Sequence, residues 1–196
     1  MTPYKANRGQ TIATDIPLGR ADRFFGAHLV FAASAAVAAS NVAVLAATAL
    51  TSAAQNITAG ITSPGMARAL RIKGNASGIT GNVVAHGTND LDEVITETIA
   101  LNGSNAVDGT KAFKTVTQLD LPAETHAGTD TVSVGFCDKI GLPYLLARDT
   151  VIAGHLDNAL EATHPTVTNS ATAIESNTVK LASALNGKQV DIYLLV

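Results

Sequence analysis

Tryptophan is absent from this sequence, cysteine occurs once, and aromatic residues make up only 4% of it. The lone thiol, Cys137, excludes an intramolecular disulfide and any multi-cysteine metal site. It follows Phe136 in an apolar run, where a free cysteine is expected as a small buried hydrophobe rather than a reactive nucleophile. Charge is scarce too: 15% of residues are Asp, Glu, Lys or Arg, against about 25% in typical soluble domains. A free monomer uses surface charge for solubility, so the scarcity points to a surface that largely faces other subunits. The net charge of −3 lacks the basic excess of a nucleic-acid binder. The N-terminus, MTPYKANRGQTIATD, has no apolar core of a signal peptide. No charged residue falls between Arg23 and Arg68, and residues 27–50 are long enough to raise the question of a membrane span. That stretch is mostly alanine, interrupted by His28, Ser34, Ser40, Asn41 and Thr48, so it is not expected to cross a bilayer.

What is present is a hydrophobic content of 46% in 196 residues, enough for one β-sandwich or barrel-like domain with an extended arm. Residues 1–23 read as that arm. Pro3, Pro17, Gly9 and Gly19 interrupt them, no apolar period runs through them, and Lys5, Arg8, Arg20 and Arg23 make them mildly basic. Such a segment orders by lying across a neighbour, and Tyr4, Lys5, Arg8, Ile12, Ile16 and Arg20 are its expected contact residues. Residues 24–196 form the β-rich domain, with the Ala-rich 24–54 ambiguous. Strands are expected at 28–32 and 41–50, while 32–40 fits a short helix or a strand equally well, since alanine favours helices and its β-branched flanks favour strands.

Beyond Gln55 the pattern is β. Residues 56–62 lead to a Ser63-Pro64-Gly65 turn. Residues 67–74 then alternate so that Arg68, Arg71 and Lys73 sit away from any continuous apolar face. Arg68 falls opposite the other two unless a bulge or late start intervenes. Residues 82–87, the Thr88-Asn89-Asp90 turn and residues 93–101 make a hairpin. In its second strand Glu93, Ile95, Glu97 and Ile99 share one face, and neither face is strongly apolar, as suits an exposed sheet. After the Asn102–Asn105 turn, residues 111–121 place Phe113, Thr115, Thr117, Leu119 and Leu121 toward the core. Further strands are expected at 130–137, 144–153, 166–174 and 189–196. Strands recurring every eight to twelve residues fit a sandwich or barrel.

Motifs for chemistry are missing. His28, His86, His126, His155 and His164 have no metal-ligand spacing, so no metal site is expected. Glu93 and Glu97 lie about 13 Å apart along a strand, too far for a hydrolase carboxylate pair, and read as a solvated face. The Gly-rich stretches match no phosphate loop, and the acidic loops at 88–92 and 108–109 match no calcium loop. No nucleophile elbow accompanies the serines. The sequons at Asn56, Asn75 and Asn102 read as incidental. No enzyme activity and no cofactor are expected.

Residues 70–78 (LRIKGNASG), 81–84 (GNVV), 87–89 (GTN) and 95–103 (ITETIALNG) resemble a run in tailed-bacteriophage virion proteins. The similarity continues through 109–113 (GTKAF), 132–135 (VSVG), 138–143 (DKIGLP), 185–187 (LNG) and 190–193 (VDIY), covering roughly residues 55–196. These are structural proteins of the head decoration or head-fibre type. The resemblance implies a β-rich virion component on the capsid exterior with no catalytic residues. Its partners would be the major capsid protein and further copies of itself, as a trimer near local three-fold positions, with no nucleic acid and no membrane. A 23-residue arm spans roughly 75 Å fully extended, enough to bridge adjacent capsid subunits. A phage tail or fibre protein is the alternative within that class. A carbohydrate-binding or adhesin module is the alternative outside it, although Tyr4, Tyr144 and Tyr193 are the only tyrosines.

Overall fold

The computed structural model describes residues 25–124 and 128–196. The expected arm lies outside them. The described residues are all-β and build antiparallel sheets that curl into a half-barrel. Their strands are β1 (Gly26–Phe31), β2 (Ser40–Ala49), β3 (Gln55–Ile57), β4 (Arg68–Gly74), β5 (Asn82–Thr88), β6 (Val94–Ala100) and β7 (Val107–Phe113). After them come β8 (Thr115–Leu121), β9 (Thr131–Gly141), β10 (Val151–Leu156), β11 (Ala159–Leu160), β12 (Thr166–Thr168), β13 (Thr178–Lys180) and β14 (Val190–Leu195). The first sheet has the order β1-β14-β10-β11, the second β12-β13-β9-β4-β7 with β2 also on β9, and the third β3-β8-β5-β6.

Two hydrophobic cores result. The larger fills the space between the third sheet (Val83, Ala85, Ile95, Ile99, Leu119, Leu121) and one end of the second (Leu70, Ile72, Val132, Val134, Phe136), with Val44 and Leu45 of β2. The smaller joins the first sheet (Val190, Ile192, Leu194) to the other end of the second through Ile140, Leu142 and Val179. β9 serves both: β2 pairs with residues 131–136 and β13 with Ile140 and Gly141. Between the cores β4 runs beside two bulges, since residues 137–139 of β9 and 109–111 of β7 have no one-to-one partners on it. Bulges of this kind bend and twist a sheet locally, and here they divide one sheet between two cores.

Several expectations need correcting. Of residues 32–40, 32–39 are neither helix nor strand and only Ser40 belongs to β2: the amides of Ala35 and Ala36 both donate to the Ala32 carbonyl, closing one turn before the chain extends. One turn fixes many dihedrals for few hydrogen bonds, so an alanine tract this short does not propagate. Residues 56–62 give only the three-residue β3. Residues 111–121 break at Lys114 into β7 and β8. Phe113, Leu119 and Leu121 do face the core, but Val116 replaces Thr115 and Thr117 there, because a bulge at Thr117 shifts the pairing with β5. Residues 144–150 are not strand, and 166–174 are strand only to Thr168. The fully buried Asn177 organises both segments: its Oδ1 accepts the amides of Leu146 and Ser170, while its Nδ2 donates to the Ser170 and Ala173 carbonyls.

Arg68 departs most from its expected place. It is fully buried, with its guanidinium 4.1 Å above the Phe136 ring. Its Nε donates to the Cys137 carbonyl (2.9 Å), Nη1 to the Val37 carbonyl (2.8 Å) and Nη2 to Asp138 Oδ1 (3.3 Å). The bulge at Cys137–Lys139 turns the first of these acceptors toward it, so the anticipated irregularity exists and draws the cation inward.

Candidate interaction surfaces

The expected contact residues Tyr4, Lys5, Arg8, Ile12, Ile16 and Arg20 lie outside the described residues, as does His126. What the structure brings together is two sheet faces, each centred on a histidine–aspartate pair.

The first is the outer face of the first sheet. Alternation sends Ala27, Leu29 and Phe31 of β1 into the smaller core, and leaves Gly26, His28 and Val30 outside. On β14 it sends Asp191 and Tyr193 to the same outer face, between β1 and the Ala153–His155 segment of β10. His28 stacks on Tyr193 with ring centroids 4.3 Å apart and planes 6° from parallel, and its Nε2–H donates to Asp191 Oδ1 at 2.8 Å. His155 meets the same Tyr193 edge-on at 5.4 Å. The Gln189 amide holds the Asp191 carboxyl below its usual range; burial opposes this and His28 adds to it. Around the cluster stand apolar side chains in water: Val30 (53% exposed), Ile152 (59%) and Leu160 (65%). Gly26, Ala27, His28, Ile152, Tyr193 and Leu194 line a shallow, open depression of about 240 Å³.

The second is the outer face of the third sheet. The β5–β6 hairpin sets His86 opposite Thr96, and β8 brings Gln118 and Asp120 alongside. His86 Nε2–H donates to Asp120 Oδ2 at 2.9 Å, and Thr96 Oγ1 lies 3.3 Å from His86 Nδ1. Burial raises the Asp120 carboxyl, but hydrogen bonds from His86 and Gln118 outweigh it and leave the group below its usual range. The order hydroxyl–imidazole–carboxylate is that of a nucleophilic relay. Here the three side chains lie side by side on the outer face of β6, β5 and β8. Its chemistry is that of cross-strand pairing. Sequence spacing alone missed this constellation, although the hairpin register, once fixed by the 89–93 turn, contains its His86–Thr96 half; β8 supplies Asp120.

Other candidates have structural duties. Glu97 is not on a solvated face: it is 7% exposed, between Ile95 and Ile99. Its Oε1 accepts the Thr110 amide (2.6 Å), the Thr110 hydroxyl (2.9 Å) and the Lys111 amide (3.3 Å), fastening β6 to the bulge of β7. In the acidic loop at 88–92, Asn89 Oδ1 accepts the amides of Leu91 and Glu93, and Lys114 holds Asp92. Asp108 pairs with Arg71. His164 Nε2 lies 3.0 Å from the Val151 carbonyl. Among the described residues no three His, Cys, Asp or Glu side chains gather as a metal site, and no helix is long and apolar enough to cross a membrane. Cys137 is buried, which pushes its thiol up from the ordinary value. No family model, no curated protein and no solved structure matches this chain.

Proposed function

We propose that the chain is a phage capsid decoration protein, which binds the outside of an assembled head as a homo-oligomer and stabilises the major capsid protein lattice. The observation that carries this reading is the apolar outer face of the first sheet. Val30, Ile152, Leu160 and Tyr193 stand exposed on one side of it. Exposed apolar side chains gathered on one sheet face of a chain so poor in charge mark a protein-contact surface. Burying it at many seams of a shell sums small contributions, each about 25 cal/mol per Å² of apolar area, into resistance against internal pressure. The resemblance of residues 55–196 to virion structural proteins supports the same reading.

Purified protein is mixed with undecorated heads assembled from the major capsid protein of the same virus, and bound copies per shell are counted. Saturable, stoichiometric binding that raises the temperature of head disruption is expected, and deletion of residues 1–23 weakens it. Absence of binding, with immunogold label confined to tails, moves the chain to the tail or fibre class. The stacked His28–Tyr193 pair beside Asp191 and the shallow depression favours a second reading, a carbohydrate-binding module, because sugars pack on aromatic rings next to carboxylates. Selective signals on a glycan array, lost in Tyr193→Ala, decide for that reading.

A further inference from the structure

A sheet edge is a row of unpaired N–H and C=O groups, and proteins that remain alone blunt it with short strands, bulges, inward-pointing charges or covering segments. Most edges of this fold are blunted in those ways. β3 and β12 have three residues each and β11 two. β7 is bulged, and Glu97 takes its Thr110 and Lys111 amides. β6 carries Glu97 pointing inward. β2 is twice interrupted along β9, and Thr62 donates across its other side to Val44. β1 differs. Its six residues, GAHLVF, pair with β14 in unbroken register, with no proline, no bulge and no Asp, Glu, Lys or Arg. Among the described residues no second strand runs beside it.

The direction of its free groups follows from one pair. Phe25 and Val196 exchange both backbone hydrogen bonds, each at 2.9 Å. Antiparallel pairs alternate, so Ala27, Leu29 and Phe31 bond to β14, while Gly26, His28 and Val30 aim their amides and carbonyls away from the sheet. The residues with outward backbone groups are thus those whose side chains lie on the exposed face, and a Cβ built on Gly26 meets nothing within 4 Å.

We propose that β1 is a self-association edge, pairing antiparallel with β1 of a second copy about a two-fold axis to join two four-stranded sheets into one of eight. The occupant is a second copy because a two-fold edge sets each strand against itself. A charged strand would meet its own charge there, and this one carries none apart from His28, which Asp191 already engages. Matching exposed face to exposed face places even-numbered residues of one copy opposite even-numbered residues of the other, bringing Val30 of both copies to the seam. An edge of six residues makes a weak, concentration-dependent dimer in solution, strengthened when copies are held on a common scaffold. The proposal is independent of the capsid reading and gives two-fold pairing where the resemblance suggests a trimer.

Sedimentation equilibrium of the full chain, with amide exchange of residues 25–31, tests it. Wild type and Val30→Thr are expected to dimerise reversibly, with the amides of Gly26, His28 and Val30 gaining protection as concentration rises. Val30→Pro deletes one outward donor per copy without touching the β14 ladder, and Val30→Lys sets like charges at the seam. Each should weaken the dimer at least about tenfold while leaving the circular dichroism spectrum unchanged. Two results overturn the proposal: a dimer indifferent to both variants, or a monomer at every concentration. Protected Gly26, His28 and Val30 amides in such a monomer would assign the edge to residues 1–24 of the same chain.

Discussion

Replacing Arg68 by methionine and by alanine separates two effects that the buried guanidinium combines. Burial pulls its pKa down to about 10 despite the opposing pull of Asp138, so carrying the charge in the folded state costs about 3 kcal/mol. Against this stand two short hydrogen bonds to the Cys137 and Val37 carbonyls and the stacking over Phe136. Methionine keeps most of the volume and removes the charge, but it leaves both carbonyls unpaired at about 1–3 kcal/mol each. Loss and relief nearly offset, so Arg68→Met is expected within about 2 kcal/mol of wild type. Alanine relieves the same charge and also opens a cavity, which adds about 2–4 kcal/mol. Arg68→Ala is therefore expected to lose about 4 kcal/mol, or roughly 8–16 °C of melting temperature for a chain of this size. Urea titrations of the three proteins measure both differences. Alanine costing under about 1 kcal/mol, or methionine harming as much as alanine, would refute this account of why Arg68 is buried.

Gly135→Ala would drive a Cβ into the Ser40 carbonyl oxygen, where β2 arches over β9; a loss of about 3 kcal/mol or failure to fold is expected in a urea or expression assay. Glu97→Ala strips acceptors from the Thr110 and Lys111 amides, so a loss of about 2 kcal/mol is expected, with faster amide exchange at those two residues. Asp108, Asp120 and Asp191 all lie below the carboxyl value of 3.8. Asp108 is held there by Arg71, which outweighs the upward push of burial. Depressed folded values mean that their contribution is complete above pH 3.8 and disappears as pH falls through those values. Urea midpoints should therefore drop in acid, and drop less in Asp191→Asn. Cys137, buried and shifted upward by that burial, should resist a thiol reagent in native protein and react stoichiometrically in denaturant; rapid native labelling would contradict its placement.

Strand content and most turns were legible because alternation and Gly/Asn punctuation act locally. The β5–β6 hairpin follows from residues 82–101 alone. What was not legible depends on partners distant in sequence. Thr117 gives up its core-facing position to Val116 only because β8 must match β5 across a bulge. Glu97 reads as surface until β7 presents unpaired amides to it. Arg68 reads as exposed until the bulged Cys137 carbonyl and the Val37 carbonyl surround it. Residues 144–150 have strand-like composition, yet Asn177 captures the Leu146 amide. The His28–Tyr193–Asp191 cluster joins residues up to 165 positions apart, and no local pattern announces it.

The pairing of β1 with β14 also has a consequence for biosynthesis. His28 and Asp191 are 163 residues apart in the chain, so on the ribosome β1 is made long before the strand that covers its inner edge. Until β14 emerges, the apolar residues of GAHLVF have neither that neighbour nor the completed smaller core behind them. Closure of the first sheet therefore waits until residues 190–195 have been made, and a nascent chain stalled before residue 190 would be the species most in need of a chaperone.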